Sequence, residues 1–326
     1  MRRREFNGGI AGAAAWPLVG RAQQPERMRR IGWLVTGSPD TYRQSLAAFR
    51  EGLRSEGFAE GQNVELEYKW ADGDSRRLPS LANELVQLNV EVILAGGSTG
   101  AAAAGAATQS IPIVSAGAGD LIELGLVSNL FKPNGNLTGF VSVSPNAVSK
   151  RMELIRELLP NATRFAVLWR PSDVNARREN EVMAQFSRAL GVEIAYYTAE
   201  DLLQLKTRLS EIERDRHPGL LVLNDPFMFS HRREIVTSVT KMHAAGVYGY
   251  REYVEDGGLL SYGAQITDTY RKAATYVARI LRGAKIEDLP VQAPSKFELV
   301  VNLHSARLAN ITIPSLLLAR ADEVIE

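Results

Sequence analysis

Two stretches of this chain run through the same alternation of short apolar segments and amphipathic ones, and that alternation restricts the fold more than any other feature. Arg30-Ile-Gly-Trp-Leu-Val35 is a short apolar run closed by Gly37-Ser38-Pro39, the pattern of a strand buried on both faces. Residues 45–53 follow, with Leu46, Phe49 and Leu53 on one helical face. A strand is expected at 64–68, a helix at 78–88, a strand at 90–95, an alanine-rich helix at 99–108 and a strand at 111–114. A second series has strands at 165–169, 192–197, 220–223 and 246–250, separated by helices at 175–190, 201–213 and 227–242. Strand and helix in strict alternation argue for parallel sheets covered by helices.

The two series also match each other weakly. Arg30-Ile31 aligns with Arg164-Phe165 and Ser38 with Ser172, at an offset of 134 residues. Val64-Glu-Leu-Glu-Tyr68 aligns with Val192-Glu-Ile-Ala-Tyr196 at 128, and the same offset carries Gly97 onto Asp225. The expected fold class is therefore α/β, with two similar doubly wound parallel-sheet lobes. After Gly258 come strands at 259–262 and 297–301 and helices at 269–281 and 303–308. These late elements are expected to return to both lobes, so that several crossovers join them as a hinge. The boundaries read 29–142 for the first lobe, completed by about 264–290, and 146–262 for the second, completed by about 294–326. Ligands of open α/β sheets bind beyond the carboxyl ends of the strands, which places a site in the cleft between the lobes.

The first 22 residues read as an address. Arg2, Arg3 and Arg4 precede a short apolar stretch from Gly8 to Val19, and Gly20-Arg21-Ala22 supplies the small residues of a cleavage site. The stretch is shorter than the roughly 20 residues of a membrane span, and Arg3-Arg4-Glu5-Phe6 is similar to a twin-arginine signal. Cleavage after Ala22 would leave 304 of the 326 residues and change the net charge from +1 to −2. Export to a periplasm is the expectation. With 38 basic and 37 acidic residues there is no cationic excess to neutralise phosphates, so no nucleic-acid partner is expected. The absence of cysteine excludes thiolate nucleophiles, zinc ribbons, iron–sulfur clusters and a lipidated cysteine.

Candidate site residues come from the strand ends. Gly96-Gly-Ser-Thr-Gly100 lies between a strand and a helix and admits three readings. Backbone N–H groups with the Ser98 and Thr99 hydroxyls could hold a carboxylate. Ser98 could cap the helix. Or Ser98 could be the nucleophile of a secreted esterase, with Asp225 and a histidine following in order. Asp225, before Pro226, either pairs with a ligand ammonium or caps the next helix. Asp120 has the same two readings. Phe227, Phe229, Tyr248 and Tyr250 stand at strand ends, where aromatics either sandwich a ligand or fill core. Ser38, Ser172 and Asn175 are weaker polar candidates. His217, His231, His243 and His304 show no ligand spacing, so no metal is expected, and no nucleotide motif or other cofactor signature is present.

Several segments together carry a likeness. They include Phe49-Arg-Glu-Gly-Leu53, Glu60-Gly-Gln-Asn63, Arg77-Leu-Pro79, Ile111-Pro-Ile-Val114 and Lys132-Pro-Asn-Gly-Asn136. Further on are Tyr248-Gly-Tyr-Arg-Glu252, Gly257-Gly258, Ser261-Tyr-Gly263, Pro294-Ser-Lys-Phe-Glu-Leu-Val300 and Ala321-Asp-Glu-Val-Ile-Glu326. The chain resembles the tryptophan/tyrosine-type substrate-binding proteins of ABC importers, over essentially its whole length after residue 22. The resemblance implies a type I periplasmic-binding-protein fold, no catalysis, a monomer, and a membrane permease as partner, with a periplasmic sensor subunit of the same fold as the alternative. It implies a small-molecule ligand, an amino acid (aromatic ones included) or a related carboxylate. By position it implies carboxylate binding at Ser98-Thr99 and an acidic contact at Asp225. The family often has Asp-Pro where this chain has Asp120-Leu121, and Asn-Pro where it has Arg170-Pro171. Arg170 is thus a departure that either selects an anionic ligand or faces solvent. The full set of expected ligand contacts is Ser38, Ser98, Thr99, Asp120, Asn175, Asp225, Phe227 and Tyr250.

Overall fold

The computed structural model describes residues 28–142, 145–294 and 296–326, so the expected export signal lies outside the described residues. The first series builds strands β1 (Arg29–Val35), β2 (Val64–Trp70), β3 (Val92–Gly96), β4 (Ile113–Ala118) and β5 (Leu137–Val141). Between them run helices α1 (Arg43–Ser55), α2 (Leu78–Gln87) and α3 (Gly97–Ala107). The chain crosses through α4 (Pro145–Leu158) into the second series. There β6 (Arg164–Trp169), β7 (Glu193–Thr198), β8 (Gly219–Val222), β9 (Ala245–Tyr248) and β10 (Leu260–Ala264) form the sheet. Its helices are α5 (Val174–Leu190), α6 (Leu202–Asp215), α7 (Pro226–Ser230), α8 (Arg232–Lys241) and α9 (Arg251–Glu255). Helix α10 (Ile266–Leu281) then packs along α1 and against β3, β4 and β5. A last passage leads to β11 (Phe297–Asn302), α11 (Leu303–Leu308), α12 (Ser315–Arg320) and β12 (Glu323–Ile325) beside the second sheet.

Among the described residues the strands form two sheets, ordered β2-β1-β3-β4-β5 and β12-β11-β10-β9-β8-β6-β7. Read from β7 to β10, the second sheet repeats the strand order of the first, which is the physical content of the weak internal match. Pairing is parallel except between β10 and β11. The exception follows from the connections. Strand β10 ends at the passage toward α10, and β11 begins where the chain comes back from the first lobe, so β11 must run the opposite way.

Burial explains the strands. From Ile31 to Val35, β1 is buried throughout, as a central strand covered on both faces must be. Trp33 anchors the first lobe's core, stacked on Tyr270 of α10 with centroids 5.2 Å apart and edge-on to Phe49 of α1 at 5.4 Å. Helix termini are set locally. The Asp173 carboxylate accepts from the Ala176 N–H at the start of α5, and Gly191 ends that helix in the left-handed region at φ 63°.

Four differences from the sequence-based expectations bear on the site. Helix α3 begins at Gly97 rather than Thr99, so Ser98 lies inside it. The expected helix over 227–242 breaks at His231 into α7 and α8. Its backbone leaves the helical region there (φ −105°, ψ 16°), with the ring Nδ1 2.9 Å from the Phe227 carbonyl oxygen. The expected strand over 246–250 ends at Tyr248, and Tyr250 opens α9. Strand β5, helices α4, α9 and α12 and strand β12 were not anticipated.

Candidate functional site

Loops at the strand ends of the two lobes close on one another. Tyr42, between β1 and α1, packs edge-on to Phe229 of α7 with centroids 5.5 Å apart. Gln44 Nε2 donates to Glu255 at 2.9 Å, Arg233 pairs with Asp40, and Arg232 Nη1 donates to the Thr41 carbonyl at 3.4 Å. A small cavity, partly open to solvent, lies between the lobes. The first lobe contributes Tyr42, the start of α3 (Gly97, Ser98), Ala116-Gly117 after β4, and Ile266 and Tyr270 of α10. The second contributes Asn175 of α5, Asp225-Pro226, Phe229 and Tyr250.

Of the residues proposed from sequence, Ser98, Asn175, Asp225, Phe229 and Tyr250 therefore line one cavity. Phe227 borders a separate interlobe cavity of about 910 Å³ empty volume. Thr99 faces the Thr36 hydroxyl at 3.2 Å and borders neither. Ser38 and Asp120 sit in turns of their own. The Ser38 Oγ accepts from the Thr41 N–H, and the Asp120 carboxylate from the N–H groups of Ile122 and Glu123. Ser38 Oγ and Asp120 Oδ1 are thus engaged by neighbouring backbone, as turn-forming side chains are.

Ser98 departs from the capping alternative. It is inside α3, where Gly96 occupies the cap, and its Oγ accepts at 2.8 Å from the N–H of Gly119 in the adjacent loop. The hydroxyl proton is left to donate. Gly97, the first residue of α3, has φ +71°, and a Cβ there would lie 2.6 Å from Pro226 Cγ of the opposite lobe. Only glycine lets the two lobes approach this closely at that backbone angle. The first N–H groups of α3 have no partner within the helix, so the helix start offers donors and a partial positive charge to the cavity. No histidine is a partner of Ser98 among the described hydrogen bonds.

Asp225 is the N-cap of α7, its Oδ1 accepting from Met228 N–H at 2.9 Å, while its Oδ2 accepts from Arg170 Nε at 2.8 Å. Burial pushes this carboxyl up; the guanidinium and backbone N–H groups pull it back. The alternative that Arg170 faces solvent is overturned. Its side chain is 3% exposed, its Nη1 donates to Ser75 Oγ of the first lobe at 3.2 Å, and its guanidinium lies 5.4 Å from the centre of the Phe227 ring. Asp173 stands behind this pair, also buried. Burial first, and then the Asp225 charge, raise its carboxyl to about 7.

A second buried pair positions Asn175. Arg151 Nη2 donates to Glu179 Oε1 at 2.7 Å, with both side chains 2% exposed. Glu179 Oε2 accepts from Asn224 N–H at 2.8 Å, and the Asn224 carbonyl accepts from Asn175 Nδ2 at 3.0 Å. That last bond fixes the amide, because the reversed orientation would set two acceptors face to face. Asn175 Oδ1 is buried without a partner on the cavity wall. Aromatic rings close the remaining walls. Tyr42 contacts Tyr270 at 6.1 Å, and Phe229 meets Tyr250 at 5.5 Å. Sequence reasoning missed Tyr42, Gly117, Ile266 and Tyr270. Tyr42 follows a strand end and was within reach of it; Ile266 and Tyr270 arrive only through the return of α10.

A family model described as ABC transporter substrate binding protein matches residues 31–325. A tyrosine-binding protein of Clostridioides difficile strain R20291 is 25% identical over 255 residues, covering 78% of this chain and 73% of that protein. Among solved structures, a conserved domain protein of Vibrio cholerae is 27% identical at a TM-score of 0.84, covering 92% of this chain and 99% of that one. An ABC domain of Streptococcus pneumonia in complex with L-Trp is 24% identical at a TM-score of 0.84, covering 91% and 100%.

Proposed function

Because the chain belongs to the family of ABC transporter substrate binding proteins, we propose that it is the exported solute receptor of an importer, taking a small aromatic carboxylate into the interlobe cavity. Its two lobes have a type I periplasmic-binding-protein fold. Residues 1–22 would direct it to the periplasm and be removed near Ala22. There it would work as a monomer and hand its cargo to a membrane permease. No helix among the described residues is long and apolar enough to cross a membrane.

The observation that carries this reading is the cavity itself. One wall is the start of α3, with unpaired N–H groups and the Ser98 hydroxyl, which suits a carboxylate. The others are the rings of Tyr42, Phe229, Tyr250 and Tyr270, which suit an aromatic body. The tyrosine-binding relative and the L-Trp complex support cargo of this size and kind. Both lobes contribute, so a ligand gains its full set of contacts only when they are closed, and binding shifts the population to the closed form.

The test is a thermal-shift and X-ray scattering screen of the purified chain with aromatic amino acids and the matching 2-hydroxy acids. A ligand at about 100 times its dissociation constant adds roughly 2.7 kcal/mol, visible as a raised melting temperature, and closure should reduce the radius of gyration. If no member of the panel does either, the reading is wrong.

A further inference from the structure

Asp225 supplies the carboxylate among the residues lining the cavity, and it is already engaged. Its Oδ2 accepts from Arg170 Nε at 2.8 Å and its Oδ1 from the Met228 N–H at 2.9 Å, and its side chain is fully buried. Arg170 is held in place from three sides, by Asp225, by Ser75 of the opposite lobe and by the face of Phe227. Arginine does not lose its proton in proteins, so this is a closed ion pair with no net charge. Asp173 does not line the cavity; its Oδ1 is engaged by the start of α5. Glu179 is spent on Arg151 and Asn224. An ammonium group entering the cavity would therefore meet no free anion. It would place a second cation against a buried carboxylate that already has one. What the cavity does offer is a neutral acceptor. Asn175 lines the cavity, its Nδ2 donates to the Asn224 carbonyl, and its Oδ1 is buried without a partner. A hydroxyl satisfies it without bringing charge.

We infer that Arg170 occupies the place a ligand ammonium would take at Asp225, and that the cavity is built for an aromatic 2-hydroxy acid rather than for the corresponding amino acid. The inference rests on the receptor reading and names its cargo. The carboxylate lies at the start of α3 and Ser98, the 2-hydroxyl donates to Asn175 Oδ1, and the ring packs among Tyr42, Phe229 and Tyr270.

The experiment uses paired probes that differ only in the group at carbon 2: L-3-(4-hydroxyphenyl)lactate against L-tyrosine, and L-indole-3-lactate against L-tryptophan. Each is titrated calorimetrically into the wild-type chain and into Arg170→Asn. The wild type should prefer the hydroxy acid of at least one pair by about tenfold or more. Arg170→Asn, which frees Asp225, should reverse that order. The wild-type comparison stands by itself should the variant not fold. Equal or tighter binding of the amino acid by the wild type overturns the inference and leaves the receptor reading intact. An unchanged order of preference in a folded Arg170→Asn overturns the role of Arg170. Binding of neither member of either pair overturns the inference together with the aromatic cargo.

Discussion

A hydroxyl and a carboxylate show how much a single residue carries here. Ser98 lines the cavity, and its Oγ accepts from the Gly119 N–H. Ser98→Ala should therefore lower stability by about 1–3 kcal/mol, because it leaves a buried N–H unpaired, and should weaken ligand binding as well. Melting and calorimetry on the same variant separate the two effects. Glu179 is further from the ligand, yet Glu179→Ala should be the costlier change. It leaves Arg151 charged and buried with no acid partner, a loss of about 3–5 kcal/mol, and it releases Asn224 and with it Asn175. Urea unfolding measures this directly. Sequence pointed to Ser98, Asn175 and Asp225 because strand ends and helix starts are legible as a change of pattern. It noticed Arg170 but not its partner, since nothing in a linear chain says which of many acids a buried cation 55 residues away will meet.

At the level of elements, closure depends on how near α3 can come to α7. Gly97→Ala puts a methyl group against Pro226 and a side chain at φ +71°. The expected result is a chain that still folds, opens in solution by scattering, and binds its ligand at least about tenfold more weakly. An unchanged radius of gyration and affinity would show that the lobes close without this contact. The elements that escaped sequence reading did so for identifiable reasons. Strand β5 carries strand-favouring Thr138, Phe140 and Val141, with Gly139 as its weak point, and was legible but overlooked. Helix α4 does carry a helical spacing in Val148, Met152 and Ile155, and was overlooked rather than hidden. The split of α7 from α8 is different in kind, because a continuous run of helix-compatible residues gives no sign that one turn will break.

For the molecule as a whole, buried acids make stability depend on pH. Burial raises Glu252 from about 4.5 to about 7, and both its carboxylate oxygens are buried without a hydrogen-bond partner; Asp173 is raised to about 7 in the same way. A raised acid holds its proton more tightly when folded, so the folded state binds more protons between the ordinary value and 7. Stability then falls as pH rises through that window and levels off above it. Melting temperature should decline between about pH 4.5 and 7. Glu252→Gln should flatten part of the decline, raising the melting temperature at pH 8 while leaving that at pH 4.5 nearly unchanged. A melting curve for the variant parallel to that of the wild type would show that Glu252 is not the group responsible.

Alternation of apolar and amphipathic segments was enough to establish two α/β lobes, because the periods of strands and helices are properties of consecutive residues. It also pointed to the strand ends, where open sheets leave backbone groups and loops free and where an interlobe cavity lies. The tertiary structure alone decided what the site can hold. Arg170 and Asp225 neutralise each other, Asn175 keeps one acceptor open, and α10 returns Tyr270 to the opposite wall. Each of these depends on which distant residues share a desolvated space, where a charge already paired has a different chemistry from the same charge left free.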